Sequence, residues 1–139
     1  MEESQNQPIS FSFPKSQKLC GETTIDRLFR EGTGFSRFPL RVVYILNDEP
    51  RKGEAPLRMM VSVGKKRFKR ANKRNRVKRL VREAWRHRKN VVEAAMEAAG
   101  VKGMHVAFIF LSNELPTFES VDTAVAKVVD KLVGAITKR

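Results

Sequence analysis

The chain is poor in the residues that staple or ligate. It has one cysteine, Cys20, among 139 residues. No intrachain disulfide can form, and a thiolate metal site would have a single sulfur. The two histidines, His87 and His105, have no cysteine or second histidine at a ligand spacing. No apolar run approaches the roughly 20 residues that a membrane helix requires. The opening, MEESQNQPIS, lacks the basic and apolar regions of a secretory signal. A reducing cytoplasm is the expected setting. The stretch EGTGFS lacks the Gly-Lys-Ser/Thr ending of a phosphate-binding loop. Glu83 and Asp130 have no partner carboxylate at a catalytic spacing. The sequence therefore offers no catalytic residue and no protein-held metal or cofactor.

Positive charge is abundant. The chain carries 28 Lys and Arg against 15 Asp and Glu, a net charge of +13. Such a chain repels itself and attracts polyanions. The excess is concentrated. Lys65 to Lys89 holds 14 of the 28 cations and one acid, Glu83.

Residues 1–18 are polar and aperiodic, and are expected to form a flexible tail. Residues 19–139 suit one domain with one core. CGETTIDRLFREG predicts a short helix with Thr23 or Thr24 as its cap, Ile25, Leu28 and Phe29 on one face, and Gly32 at its end. FPLRVVYIL and LRMMVSVGKK predict strands, and a hairpin with a long polar loop is the expected link between them. A helix is predicted from Ala71 to Ala99, stopped by Gly100. MHVAFIFL predicts a strand buried on both faces, with His105 at a strand edge. A last helix follows Thr117, with Val121, Val125, Val128, Leu132 and Ile136 as its stripe. The fold expected is α+β: a two-layer α/β sandwich in the order helix-strand-strand-helix-strand-helix.

At about 100° per residue the basic helix has two sides. Val77, Leu80, Val81 and Ala84 share one. Arg74, Asn75, Lys78, Arg79, Arg82 and Arg86 share the other, with Trp85 at a boundary. A solvated face normally mixes signs. This one repeats cations at i, i+4 and i+8 (Arg74, Lys78, Arg82), which repel. Guanidinium groups fork onto phosphates, so nucleic acid is the expected partner. A major-groove DNA reader would show a turn and a second short helix, which are absent. A membrane-surface helix would free its apolar face, which the core here needs. A ribosomal or other structural RNA-binding protein is the alternative.

The segment KKRFKRANKRNRVKRLVREAWR, preceded by VSVG, resembles the signature of the bacterial ribonuclease P protein subunit. The signature's Arg-Asn-Arg, Lys-Arg and Arg-Glu fall at Arg74, Asn75, Arg76, Lys78, Arg79, Arg82 and Glu83. FPKSQKL is similar to the family's opening Phe-x-Lys-x-x-Arg-Leu, with Lys18 where Arg is commoner. IDRLFREG is similar to its first helix, with Ile25 and Phe29 where two Phe are typical.

The resemblance implies an α/β sandwich around about four strands, with a left-handed crossover around the basic helix. It implies a subunit that binds a catalytic RNA and the 5′ leader of precursor tRNA. It also implies that the RNA cleaves with Mg2+ that it mainly binds itself. The RNA-binding residues would be Lys65, Lys66, Arg70, Arg74, Asn75, Arg76, Lys78, Arg79, Arg82 and Arg86. Ile25 and Phe29 would line the leader cleft.

Overall fold

The computed structural model describes residues 15–46 and 49–138. The expectation for residues 1–14 of the tail lies outside them. Lys15–Gln17 forms a single 3-10 turn. Lys18 bridges Met59, and the Leu19 N–H donates to the Met59 carbonyl at 2.8 Å. The boundary expected at residue 18 thus falls within the sheet's own hydrogen bonding.

Helix α1 spans Glu22–Glu31. Neither threonine caps it. Gly21, at φ 99°, turns the chain into the helix, and its carbonyl accepts from the Ile25 N–H at 3.0 Å. That backbone geometry favours glycine and leaves Thr23 and Thr24 inside the first turn. Gly32 ends the helix as expected, its N–H donating to the Leu28 carbonyl. A Cβ at Gly32 would crowd that carbonyl, the Tyr44 carbonyl and Val43, so only glycine lets the helix lead so closely into the sheet.

Four strands follow: β1 Thr33–Arg37, β2 Leu40–Leu46, β3 Leu57–Ser62 and β4 Met104–Phe110. Their order is β1-β2-β4-β3. The fourth strand of the expected fold is β1. It escapes a propensity reading because TGFSR carries a glycine and only two strong strand formers. The true hairpin joins β1 to β2, with Phe38 and Pro39 between Arg37 and Leu40. The hairpin expected between β2 and β3 does not form. Strand β4 lies between them, antiparallel to β2 and parallel to β3. As the most apolar strand, it gains most from a central place where both faces and both edges are covered. His105 is therefore buried in the sheet's middle, paired with Ile45 and Arg58, and not at an edge.

A parallel pair needs a crossover, and α2, Ala71–Ala99, supplies it. Gly100 closes α2 in the left-handed conformation at φ 74°. Helix α3, Phe118–Thr137, is capped by Thr117, whose hydroxyl accepts from the Ser120 N–H. Its five-residue stripe is wholly buried.

Successive residues of a strand face opposite ways. On one face Val42, Met59, Val106 and Phe108 meet Val77, Val81, Ala84 and Trp85 of α2 and the α3 stripe. Trp85 is 1% exposed and packs edge-on against Phe108, at 5.4 Å between ring centres. Val43 and Ala107 face the other way, into a smaller cluster with Leu19 and Leu28. The expected two layers are the sheet and the α2–α3 pair. Helix α1 adds a partial third layer behind the sheet.

Candidate nucleic-acid interface

The core fixes which side of α2 faces out. With Val77, Val81, Ala84 and Trp85 buried, Asn75, Lys78, Arg79, Arg82, Glu83 and Arg86 line an open groove of about 280 Å³. Four cations, one amide and one acid converge there. The acid does not cancel the field. Arg86 holds Glu83 with two hydrogen bonds, Nε to Oε1 at 3.2 Å and Nη2 to Oε2 at 2.6 Å. His87 Nε2 lies 3.0 Å from the same Oε2. These contacts, Arg86 first, hold the Glu83 carboxyl below its ordinary range, and Glu83 in turn raises Arg86. Lys78, Arg79 and Arg82 are left to face an incoming anion.

The other expected residues are spread more widely. Lys65, Lys66 and Arg70 are exposed on the segment joining β3 to α2, Arg70 as the residue just before the helix. Arg76 is exposed but does not line the groove. Arg74 is partly buried and turns away from the groove. Its Nη1 donates to the Phe68 and Lys69 carbonyls, both at 2.8 Å. Helical spacing put Arg74 on the cationic face but could not show this inward fold onto the backbone.

Not every cation of the basic segment serves a surface. Lys89 is 2% exposed. Arg88 forks onto Asp122 of α3, which lowers the Asp122 carboxyl below its ordinary range. Arg67 donates to Asn113 Oδ1 at 3.2 Å, joining the segment before α2 to the one before α3. Sequence spacing carries no sign of these two pairings, which span 34 and 46 residues.

On the opposite side of the sheet, Ile25 is half-buried against the Leu19, Leu28, Val43 and Ala107 cluster. Phe29 is 44% exposed on α1. The two share a helix but not an environment: Ile25 serves the packing, and Phe29 offers a ring to solvent. Among the described residues, no group of three His, Cys, Asp or Glu is placed to hold a metal ion. Glu83, His87 and Asp122 line one open pocket, where Arg86 engages Glu83 and Arg88 engages Asp122.

The family model for ribonuclease P matches residues 13–133. The ribonuclease P protein component of Porphyromonas gingivalis is 42% identical over 129 residues, covering 93% of this chain and 92% of that one. That of Chlorobaculum tepidum is 29% identical over 129 residues, covering 88% and 84%. Among solved structures, the RNase P protein of Thermotoga maritima matches with a TM-score of 0.63 at 23% identity, covering 82% of this chain and 96% of that one. That of Staphylococcus aureus matches at 0.61 and 17% identity, covering 84% and 95%. The structural matches bear on the fold, and the sequence matches on the family.

Proposed function

The chain belongs to the ribonuclease P protein family, the protein component of an endoribonuclease ribonucleoprotein that processes tRNA, and we propose how its surfaces divide that work. The outward face of α2 docks on the catalytic RNA. The α1 side of the sheet, with Ile25 and Phe29, meets the 5′ leader of precursor tRNA. Hydrolysis belongs to the RNA, with Mg2+ that the RNA holds. The particle works in the cytoplasm, where Cys20 stays reduced.

The observation that carries this reading is the groove of Asn75, Lys78, Arg79, Arg82 and Arg86, whose only acid is already paired. Each phosphate engaged by a cation releases counterions, so the complex forms readily and weakens as salt rises. Asn75 sits among the cations with a donor and an acceptor, suited to a sugar hydroxyl or base edge. Lys65, Lys66 and Arg70 extend the charge toward the sheet's end. Binding there lowers the repulsion between RNA strands, so less magnesium is needed to hold the catalytic fold. The protein supplies affinity and position, and no side chain is asked to transfer a proton.

The test is reconstitution. The protein is mixed with a bacterial ribonuclease P RNA and a precursor tRNA, at a magnesium level where the RNA alone is nearly inactive. Cleavage at the mature 5′ end is expected. Tight RNA binding without rescue of cleavage would leave only a structural RNA-binding role.

A further inference from the structure

Glu83 stands between two open pockets on α2. On one side is the cationic groove of Asn75, Lys78, Arg79, Arg82 and Arg86. On the other is a wider pocket of about 570 Å³, lined by His87 and Arg88 of α2 and by Phe118 and Asp122 of α3. Arg86 belongs to the first pocket and His87 to the second. Helix spacing lets them meet: Arg86 at i+3 and His87 at i+4 both reach back to the Glu83 carboxylate.

The meeting has a conflict built into it. His87 Nε2 lies 3.0 Å from Glu83 Oε2 and 3.2 Å from Arg86 Nη2. Arg86 Nη2 donates to the same Oε2 at 2.6 Å. One ring nitrogen cannot serve both neighbours. With a proton, it donates to Glu83 and its N–H opposes the N–H groups of Arg86. Without one, it accepts from Arg86 and sets a lone pair against the carboxylate. The imidazolium carries a proton on both nitrogens and has only the first option. Two cations then compete for one carboxylate. The other groups facing the ring do not relieve this. Arg88 is a third cation, and its fork holds Asp122, the acid that α3 presents to the pocket.

We propose that His87 is a positioning residue for RNA binding: its protonated ring takes over Glu83 and releases Arg86 to a backbone phosphate of the catalytic RNA. Among the described residues, Arg86 is the one groove cation that holds an acid. With a neutral His87 it stays there, and the groove meets the RNA with Lys78, Arg79 and Arg82. Histidine is the side chain that changes charge between about pH 5 and about pH 8, so the handover follows pH in that interval. By linkage, RNA bound at Arg86 draws a proton onto His87. The occupant is the catalytic RNA, because the leader side of the molecule, α1, lies behind the sheet from α2. The proposal rests on the reading of the outward face of α2 given above.

The experiment measures the affinity of the full chain for a bacterial ribonuclease P RNA at fixed magnesium and salt, from about pH 5.5 to about pH 8. Wild type should bind about fivefold more tightly at the acid end, the worth of one screened charge contact. Its log–log salt slope should steepen there by about 0.8, the value of one phosphate contact. His87→Gln should hold a nearly constant affinity. Glu83→Gln leaves Arg86 free at every pH, and should bind at least as tightly as wild type at the acid end with no pH response. Both side chains are nearly half exposed, so neither change disturbs the core. Parallel pH curves for wild type and His87→Gln would overturn the proposal. So would a full wild-type response in Glu83→Gln, since His87 would then act on the RNA without Arg86. Arg79→Ala with Arg82→Ala checks the surface itself and should weaken binding at every pH. No loss there would remove the α2 interface, and the handover with it. A loss there beside parallel His87→Gln curves would remove the handover alone.

Discussion

Arg88 of α2 grips Asp122 of α3 with two parallel hydrogen bonds, Nε to Oδ1 at 3.1 Å and Nη2 to Oδ2 at 2.8 Å. This fork spends a cation of the basic segment on joining the two helices that cover the sheet. Both side chains are about one third exposed, so solvent screens part of the attraction. Asp122→Asn should cost about 1 kcal/mol at neutral pH, within reach of a urea titration. The pH dependence has a definite sign. The fork lowers the Asp122 pKa in the folded state, so the unfolded chain binds the proton more readily. The stability from the pair is present above the ordinary aspartate range and is lost as pH falls through the lowered folded value. Wild type should therefore lose more stability than Asp122→Asn between neutral and strongly acid pH. Parallel stability curves for the two would remove the fork from the account.

Arg74 is the clearest case of a signature residue whose structural role differs from its apparent one. Its two hydrogen bonds hold the segment that carries Arg67, Lys69 and Arg70. A hydrogen bond to a charged group contributes about 1.5–3 kcal/mol net, and less where solvent reaches it, as at Lys69. Arg74→Ala should lower stability by about 1–2 kcal/mol and speed hydrogen exchange at the Arg67 amide, which donates to Gly64. Asn75→Ala, its exposed neighbour, should leave stability within about 0.5 kcal/mol and still reduce cleavage at low magnesium. If Arg74→Ala unfolds with the wild-type midpoint and exchanges at the wild-type rate, the pinning has no energetic weight.

The contrast between Arg74 and Asn75 shows how far the residues alone could be read. Composition located α2 from Ala71 to Ala99, through its lack of Pro and Gly and the stop at Gly100, and periodicity gave its buried side, because burial repeats with the turn of a helix. It also found β4, whose unbroken apolar run needs cover on both faces. It could not find the partner of β3. Strand order depends on which edges meet in space, and the β2–β3 link reads as a hairpin whether or not β4 intervenes. Side-chain direction was equally hidden. Arg74 and Arg86 read as one cationic face, yet one binds a backbone and the other an acid on the same helix; Arg88 and Lys89, which spacing assigned to neither face, turn to an acid on another helix and to the protein interior.

Phe29 offers a test of the leader site proposed on α1. Its ring is 44% exposed and lies outside both buried clusters, while Ile25 one turn earlier is packed against the sheet. Removing the ring should therefore change stability little, within about 0.5 kcal/mol. If a leader base stacks on it, the same change costs about 1–3 kcal/mol of binding, roughly five- to 150-fold. The comparison is made within one holoenzyme, using precursor tRNAs with a long leader and with a single-nucleotide leader. Phe29→Ala should weaken the first and spare the second, and catalytic-RNA affinity should stay at the wild-type value. An equal loss on both substrates would mean that Phe29 acts on assembly. No loss on either would move the leader off α1. Ile25→Phe offers the reciprocal gain only if the sheet cluster admits the larger ring, so its stability must be measured alongside its affinity.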